Sequence, residues 1–169
     1  MNRREAILTA VAGIAGGIAI ASTANAEEPA NPELEAVRAL LKKHDEAFTN
    51  QDMSAVMSCL TEKAAIMGTG PGEIWANPDE IKDAYQHFFS GFDKGDQSFE
   101  YQFKIGGLSA DSGWLMASGN VKGKKGGKEF AYPLNISLTV TKKEGNWLIA
   151  AMHFSTLTGG GEAKGEAKD

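Results

Sequence analysis

Three residues of this chain could do acid–base chemistry if the fold gathered them: His44, Glu73 and His153. Histidine changes charge near neutral pH, and a carboxylate beside it orients the ring and steadies its cation. A catalytic arrangement would use His153 as base or acid, Glu73 as its orienter and His44 as a hydrogen-bond donor. Plainer readings stand beside this one. His44 recurs at helical spacing with apolar residues, where a histidine is commonly a hydrogen-bonded core residue. His153 and Glu73 could also pair only to close the structure. No third ligand stands at useful spacing from the two histidines, so no metal is expected, and nothing calls for a cofactor. His87 falls on the flank of a helix, as a solvated or rim residue.

Elements of definite type must position these residues. The central one is Gly145–Thr158, GNWLIAAMHFSTLT, which follows the turn signal Glu144-Gly145-Asn146. It is apolar on both sides, as expected of a strand covered on both faces. Strict alternation puts Trp147, Ile149, Ala151, His153 and Ser155 on one face, with Leu148, Ala150, Met152 and Phe154 on the other. His153 then points inward with Trp147, towards a pocket mouth, and the second face remains apolar.

Upstream, Asn31-Pro32-Glu33 combines a cap, a first-turn proline and an acidic first turn. It opens a helix to about Asn50 with Leu34, Val37, Leu41, His44 and Phe48 on its apolar face. Asp52 caps a short helix over 53–60, in which Cys59 is a small packing residue. Ala64–Met67 and Glu73–Trp75 read as a hairpin around Gly68–Gly72. Those glycines lack the Lys-Ser/Thr and the directly following helix of a phosphate loop. Asn77-Pro78-Asp79-Glu80 starts a helix to about Ser90 with Ile81, Ala84, Tyr85 and Phe88 inward. Phe99, Tyr101, Phe103 and Ile105 alternate with polar residues in a strand. Trp114–Val121 and a long strand from Phe130 follow, joined by the basic loop Lys122–Lys128, a solvated tip. Pro133 inside the long strand implies an edge or a bulge there.

The ends differ from this domain. Arg3-Arg4, the apolar run Ala6–Ala21 and Ala24-Asn25-Ala26 read as a signal peptide over 1–26, with an uncleaved anchor as the alternative and Sec and twin-arginine routes both open. A linker over 27–33 leads to the domain at 34–158, and the polar 159–169 should be disordered. The expected location is therefore outside the cytoplasm, periplasmic or secreted, with no membrane attachment after cleavage. The formal net charge of −5 argues against nucleic acid as a partner. A single cysteine permits no intrachain disulfide.

The order of helices followed by antiparallel strands implies an α+β layer fold, a curved sheet wrapped around the N-terminal helices as a cone. Two motifs, Gly68–Phe89 and Asn146–Ser155, make the chain resemble the SnoaL-like group of the nuclear transport factor 2-like superfamily, which includes ketosteroid isomerases. The resemblance spans about Leu34–Thr158. It implies a cone with a pocket at its mouth and a homodimer packed through the outer face of the sheet, to which Leu148, Met152 and Phe154 would contribute. It also marks departures from the isomerases. Gly68 or a neighbour stands where their aspartate base would be, and His44 stands near their tyrosine.

The expected pocket holds Trp75, Tyr85, Met67, Met116 and Asn120 with the three titratable residues. The reading is an exported domain that holds a small apolar or amphipathic molecule without catalysis. A His/Glu acid–base enzyme of isomerase, cyclase or dehydratase type and a dimerisation module without ligand are the alternatives. An enzyme requires Glu73 and His153 within bonding reach, a binding module requires an apolar cavity, and an assembly module requires a filled cone.

Overall fold

A computed structural model describes residues 31–156. The expected leader over 1–26 and tail over 159–169 lie outside them. Asn31 caps α1 (Pro32–Thr49), its carboxamide oxygen accepting from the amides of Glu33 and Leu34. Asp52 caps α2 (Met53–Ser58) in the same way, and Asn77 caps α3 (Pro78–Phe89). Glu80 bonds back to the Ala76 amide, the reciprocal half of a box-like cap.

The strands are β1 (Leu60–Met67), β2 (Ile74–Trp75), β3 (Gln97–Leu108), β4 (Ser112–Lys125), β5 (Lys128–Lys143) and β6 (Asn146–Ser155). They form one sheet in the order β2-β1-β6-β5-β4-β3. The four long strands from β3 onward are antiparallel neighbours, as their alternation implies, while β6 closes against β1 in parallel. β1 begins at Leu60, four residues ahead of the expected start. β6 lies inside the sheet, consistent with its apolar faces. The two tight hairpins turn on residues with positive φ, Gly126-Gly127 and Glu144-Gly145, which suits two-residue connections between twisted strands. Pro133 lies beyond the last β6 partner of β5, the pair Asn135 and Ser155, so β5 is locally an edge there.

The sheet curves around the helices in an α+β fold. Leu40 and Ala47 of α1, Val56 of α2 and Ile81 and Tyr85 of α3 pack on Ile66, Val140, Trp147, Ile149 and Met152. A chain of aromatic rings fills the space beside them: Phe48 lies 5.5 Å from Phe89 and 5.3 Å from Phe92, and Tyr85 contacts Phe48, Phe88 and Phe89. Glu33 fastens α1 to the β5–β6 hairpin, accepting from Lys142 Nζ at 2.6 Å and Trp147 Nε1 at 2.7 Å.

Two β-bulges correct the expected faces. In β6, Ile149 pairs with Val140 and Ala151 with Thr139, so Ala150 is an extra residue. An extra residue inverts the alternation beyond it. Trp147 and Ile149 point inward, but so do Met152 and Phe154, while His153 turns to the outer face. The expected inward His153, and the expected outer Met152 and Phe154, are thus exchanged. In β3, Gln102 is the extra residue between the pairs Tyr101–Gly119 and Phe103–Ser118. Phe99 and Tyr101 face in, whereas Phe103 and Ile105, expected beside them, face out.

Candidate functional site

The titratable residues singled out by type occupy three separate places. His44 is buried in α1, its Nε2 2.7 Å from the Tyr85 hydroxyl and its ring stacked on Phe48. Burial, reinforced by Cys59 and Asp45, pushes the Tyr85 hydroxyl far above the ordinary tyrosine range, so it stays protonated. With the imidazole proton on Nδ1, that hydroxyl donates to Nε2 and Nδ1 faces the Asp45 carboxylate at 3.5 Å. This satisfies a buried pair between two helices.

Glu73 bends back over its own turn. Its carboxylate accepts from the Gly70 amide at 2.7 Å, and a Cβ at Gly68 would collide with the Glu73 side chain, while one at Gly70 would press on it. The Gly68 amide bonds the Glu73 carbonyl at 2.8 Å. The glycines thus make room for a carboxylate that closes the β1–β2 hairpin. Among the described residues no ion pair joins Glu73 to His153, and the expected pairing of the two is not formed.

His153 belongs to a row that crosses all six strands on the outer face. Successive cross-strand partners are Ile74, Met67, His153, Ser137, Met116 and Ile105. Met67 and Met116, expected inside the cone, stand here, and Asn120 lies on the same face by alternation. Phe103 and Trp114 occupy the flanking rows. These six apolar side chains are exposed, from 43% at Met67 to 75% at Phe103. A trough of about 510 Å³ runs along the face, with Phe103, Ile105 and Met116 as apolar walls and Ser118, Asn135, Ser137, Ser155 and His153 as polar lining. Further along β3 and β4 on the same face, outside the trough, Glu100 and Lys122 pair at 2.7 Å.

Trp75 and Tyr85 do lie on the concave side, where Trp75 meets Phe88 edge-on. Reasoning from sequence missed the half-exposed residues of that side. Tyr101 and Tyr132 face inward at the end of the sheet, with Lys104 Nζ 5.5 Å from the Tyr101 ring centre. Burial and then the Asp45 charge on α1 raise the Tyr101 pKa, and burial raises that of Tyr132. The signal available for Tyr101 was its place in an alternating strand next to a lysine, which is too common to single out.

Comparison with known proteins fits this geometry. The description "SnoaL-like domain" matches residues 37–159. No curated protein matches the chain. Among solved structures, a protein from Xanthomonas campestris, provisionally described as a calcium/calmodulin-dependent protein kinase II association domain, superposes with a TM-score of 0.64 at 20% identity, covering 80% of this chain and 95% of its own. A ketosteroid isomerase-like protein from Erwinia carotovora atroseptica gives 0.58 at 24% identity, covering 77% and 100%. A nuclear transport factor 2-like protein of unknown function from Pseudomonas putida KT2440 gives 0.61 at 13% identity, covering 74% and 87%. With that match over most of its length, the chain belongs to the SnoaL-like domain family, and it shares its fold with proteins described as nuclear transport factor 2-like.

Proposed function

We propose that this chain is an exported, non-catalytic assembly module that pairs with a second copy through the outer face of its sheet. The observation that carries this reading is the six-strand row and its flanks. Monomers rarely gather six large, exposed apolar side chains on one face in water. The three rows, crossing six, five and four strands spaced about 4.8 Å apart, span on the order of 500 Å² in plan, the larger part of the roughly 800 Å² per partner of a stable complex. The row is also self-complementary. From either edge it reads isoleucine, methionine, polar residue, polar residue, methionine, isoleucine, as a two-fold interface requires. The aromatic chain filling the cone agrees with an assembly role, and so does the description of the Xanthomonas neighbour as an association domain. Catalysis lacks support, since His44, Glu73 and His153 do not converge.

Sedimentation of the isolated protein tests the reading. A dimer that Met116→Glu converts to a folded monomer is the expected result, and a stable wild-type monomer would overturn it. Export rests on the Ala24-Asn25-Ala26 site, and an intact mass beginning at Glu27 is expected for protein from the cell envelope or medium. A second reading, a site for a small apolar or amphipathic molecule at the concave end, is favoured by the half-exposed Tyr101 and Tyr132. Native mass spectrometry of the same preparation would reveal a retained molecule, and Tyr101→Ala should release it.

A further inference from the structure

The centre of the outer row is polar. His153 of β6 and Ser137 of β5 are cross-strand partners, flanked first by Met67 and Met116 and then by Ile74 and Ile105. The middle of a sheet ordered β2-β1-β6-β5-β4-β3 lies between β6 and β5. Residues nearest a two-fold axis meet their own counterparts. An axis along the strands at mid-sheet sets His153 against the partner's Ser137. An axis along the row sets each His153 against its own copy. In both arrangements the imidazole leaves water for surroundings of thioethers, alkyl groups and hydroxyls.

No carboxylate is placed to receive a proton charge there. Among the described residues His153 makes no ion pair. The charged groups facing outward stand away from this centre, towards the strand ends: Glu62 and Lys63 are exposed near the irregular start of β1, Lys122 on β4 bonds Glu100 on β3, Lys124 on β4 is the cross-strand partner of Glu129 on β5, and Lys143 lies at the far end of β5. Lys104 borders the trough through its backbone position, but its Nζ lies by the inward-facing Tyr101 ring. β5 and β2 present no charge to this centre, the Glu73 carboxylate being occupied by the Gly70 amide.

We infer that His153 makes the pairing of two copies sensitive to acid: the copies join while both imidazoles are neutral and part when they are protonated. The inference rests on the dimer reading above. Moving an imidazolium out of water without a counter-charge is costly, so association favours the neutral ring and lowers its proton affinity. The stabilisation of the dimer is therefore present while both rings are neutral and is lost as acid charges them. With two such rings, the dissociation constant rises about 100-fold between pH 7.5 and 5.5.

Sedimentation equilibrium of the protein as isolated from its cells, at these two pH values, is the test. The wild-type dissociation constant should rise roughly 100-fold. His153→Gln keeps a neutral hydrogen-bonding side chain, and its dimer should hold the same affinity at both pH values. The side chain is exposed in a single copy, so the substitution leaves the fold intact, which circular dichroism checks. A wild-type dimer indifferent to pH, or a His153→Gln dimer that weakens as the wild type does, overturns the inference and leaves the dimer reading standing. A wild type that is monomeric at pH 7.5 overturns that reading and this inference with it.

Discussion

Nε2 of His44 and the hydroxyl of Tyr85 lie 2.7 Å apart and join α1 to α3 inside the aromatic core. Both side chains are buried, with Tyr85 1% exposed. Removing the hydroxyl leaves a ring nitrogen without a partner in a place water does not reach. Tyr85→Phe should therefore cost about 1–3 kcal/mol in urea unfolding. An unchanged midpoint would mean that His44 finds another partner when the hydroxyl is gone.

The Glu33 clamp should show itself in the pH dependence of stability. Bonds from Lys142 first and Trp147 next hold the carboxyl below its ordinary range in the folded chain. Such a group stabilises the fold above the unfolded carboxyl pKa, near 4.3, and loses that contribution as pH falls through its lower folded value. Glu33→Gln should thus lower the melting temperature at pH 7, with the gap to wild type closing towards pH 3. The contribution is modest because the carboxylate is open to solvent. A gap that stays constant across this range would contradict the linkage.

Asp93 holds the basic hairpin in place. Its two carboxylate oxygens accept from the Gly126 and Gly127 amides at 2.9 and 2.8 Å, the Gly127 bond first among the causes that depress its pKa. Asp93→Ala should raise hydrogen exchange at both glycine amides by an order of magnitude or more, while β6 amides remain protected. Equal protection in the variant would show that the turn holds itself.

Phe154 and Met116 offer a paired test of the two sheet faces. Phe154 packs inward, its ring 6.3 Å from Phe88, whereas Met116 stands exposed on the outer row. Phe154→Glu should destabilise the single chain by several kcal/mol, by placing a charge in the core. Met116→Glu should abolish association and lower the melting temperature only by what association adds, so that the loss vanishes at protein concentrations where the wild type is monomeric. Thermal unfolding combined with sedimentation separates the two outcomes, and the reverse pattern would mean that the faces are misassigned.

The sequence alone determined the element order, because each element carries local signals. Asn31-Pro32 and Asn77-Pro78 mark helix starts through capping and the fixed φ of proline. The alternation from Phe99 onward marks strands, and Glu144-Gly145 marks a hairpin. The interior place of β6 was legible in its doubly apolar pattern. Which face each residue of β6 and β3 takes was not. That depends on the single extra residues Ala150 and Gln102, and a bulge is set by register against the neighbouring strand rather than by residue type. One unpaired residue in each strand sent His153, Phe103 and Ile105 to the outer face and Met152 and Phe154 to the core. Glu73 followed the same rule at shorter range: its type suggested a partner for a histidine, but a tight turn presenting the Gly70 amide at 2.7 Å satisfied it locally. Spacing along the chain gives periodicity, whereas the face a side chain occupies follows from pairing between strands distant in sequence, which only the tertiary structure decides.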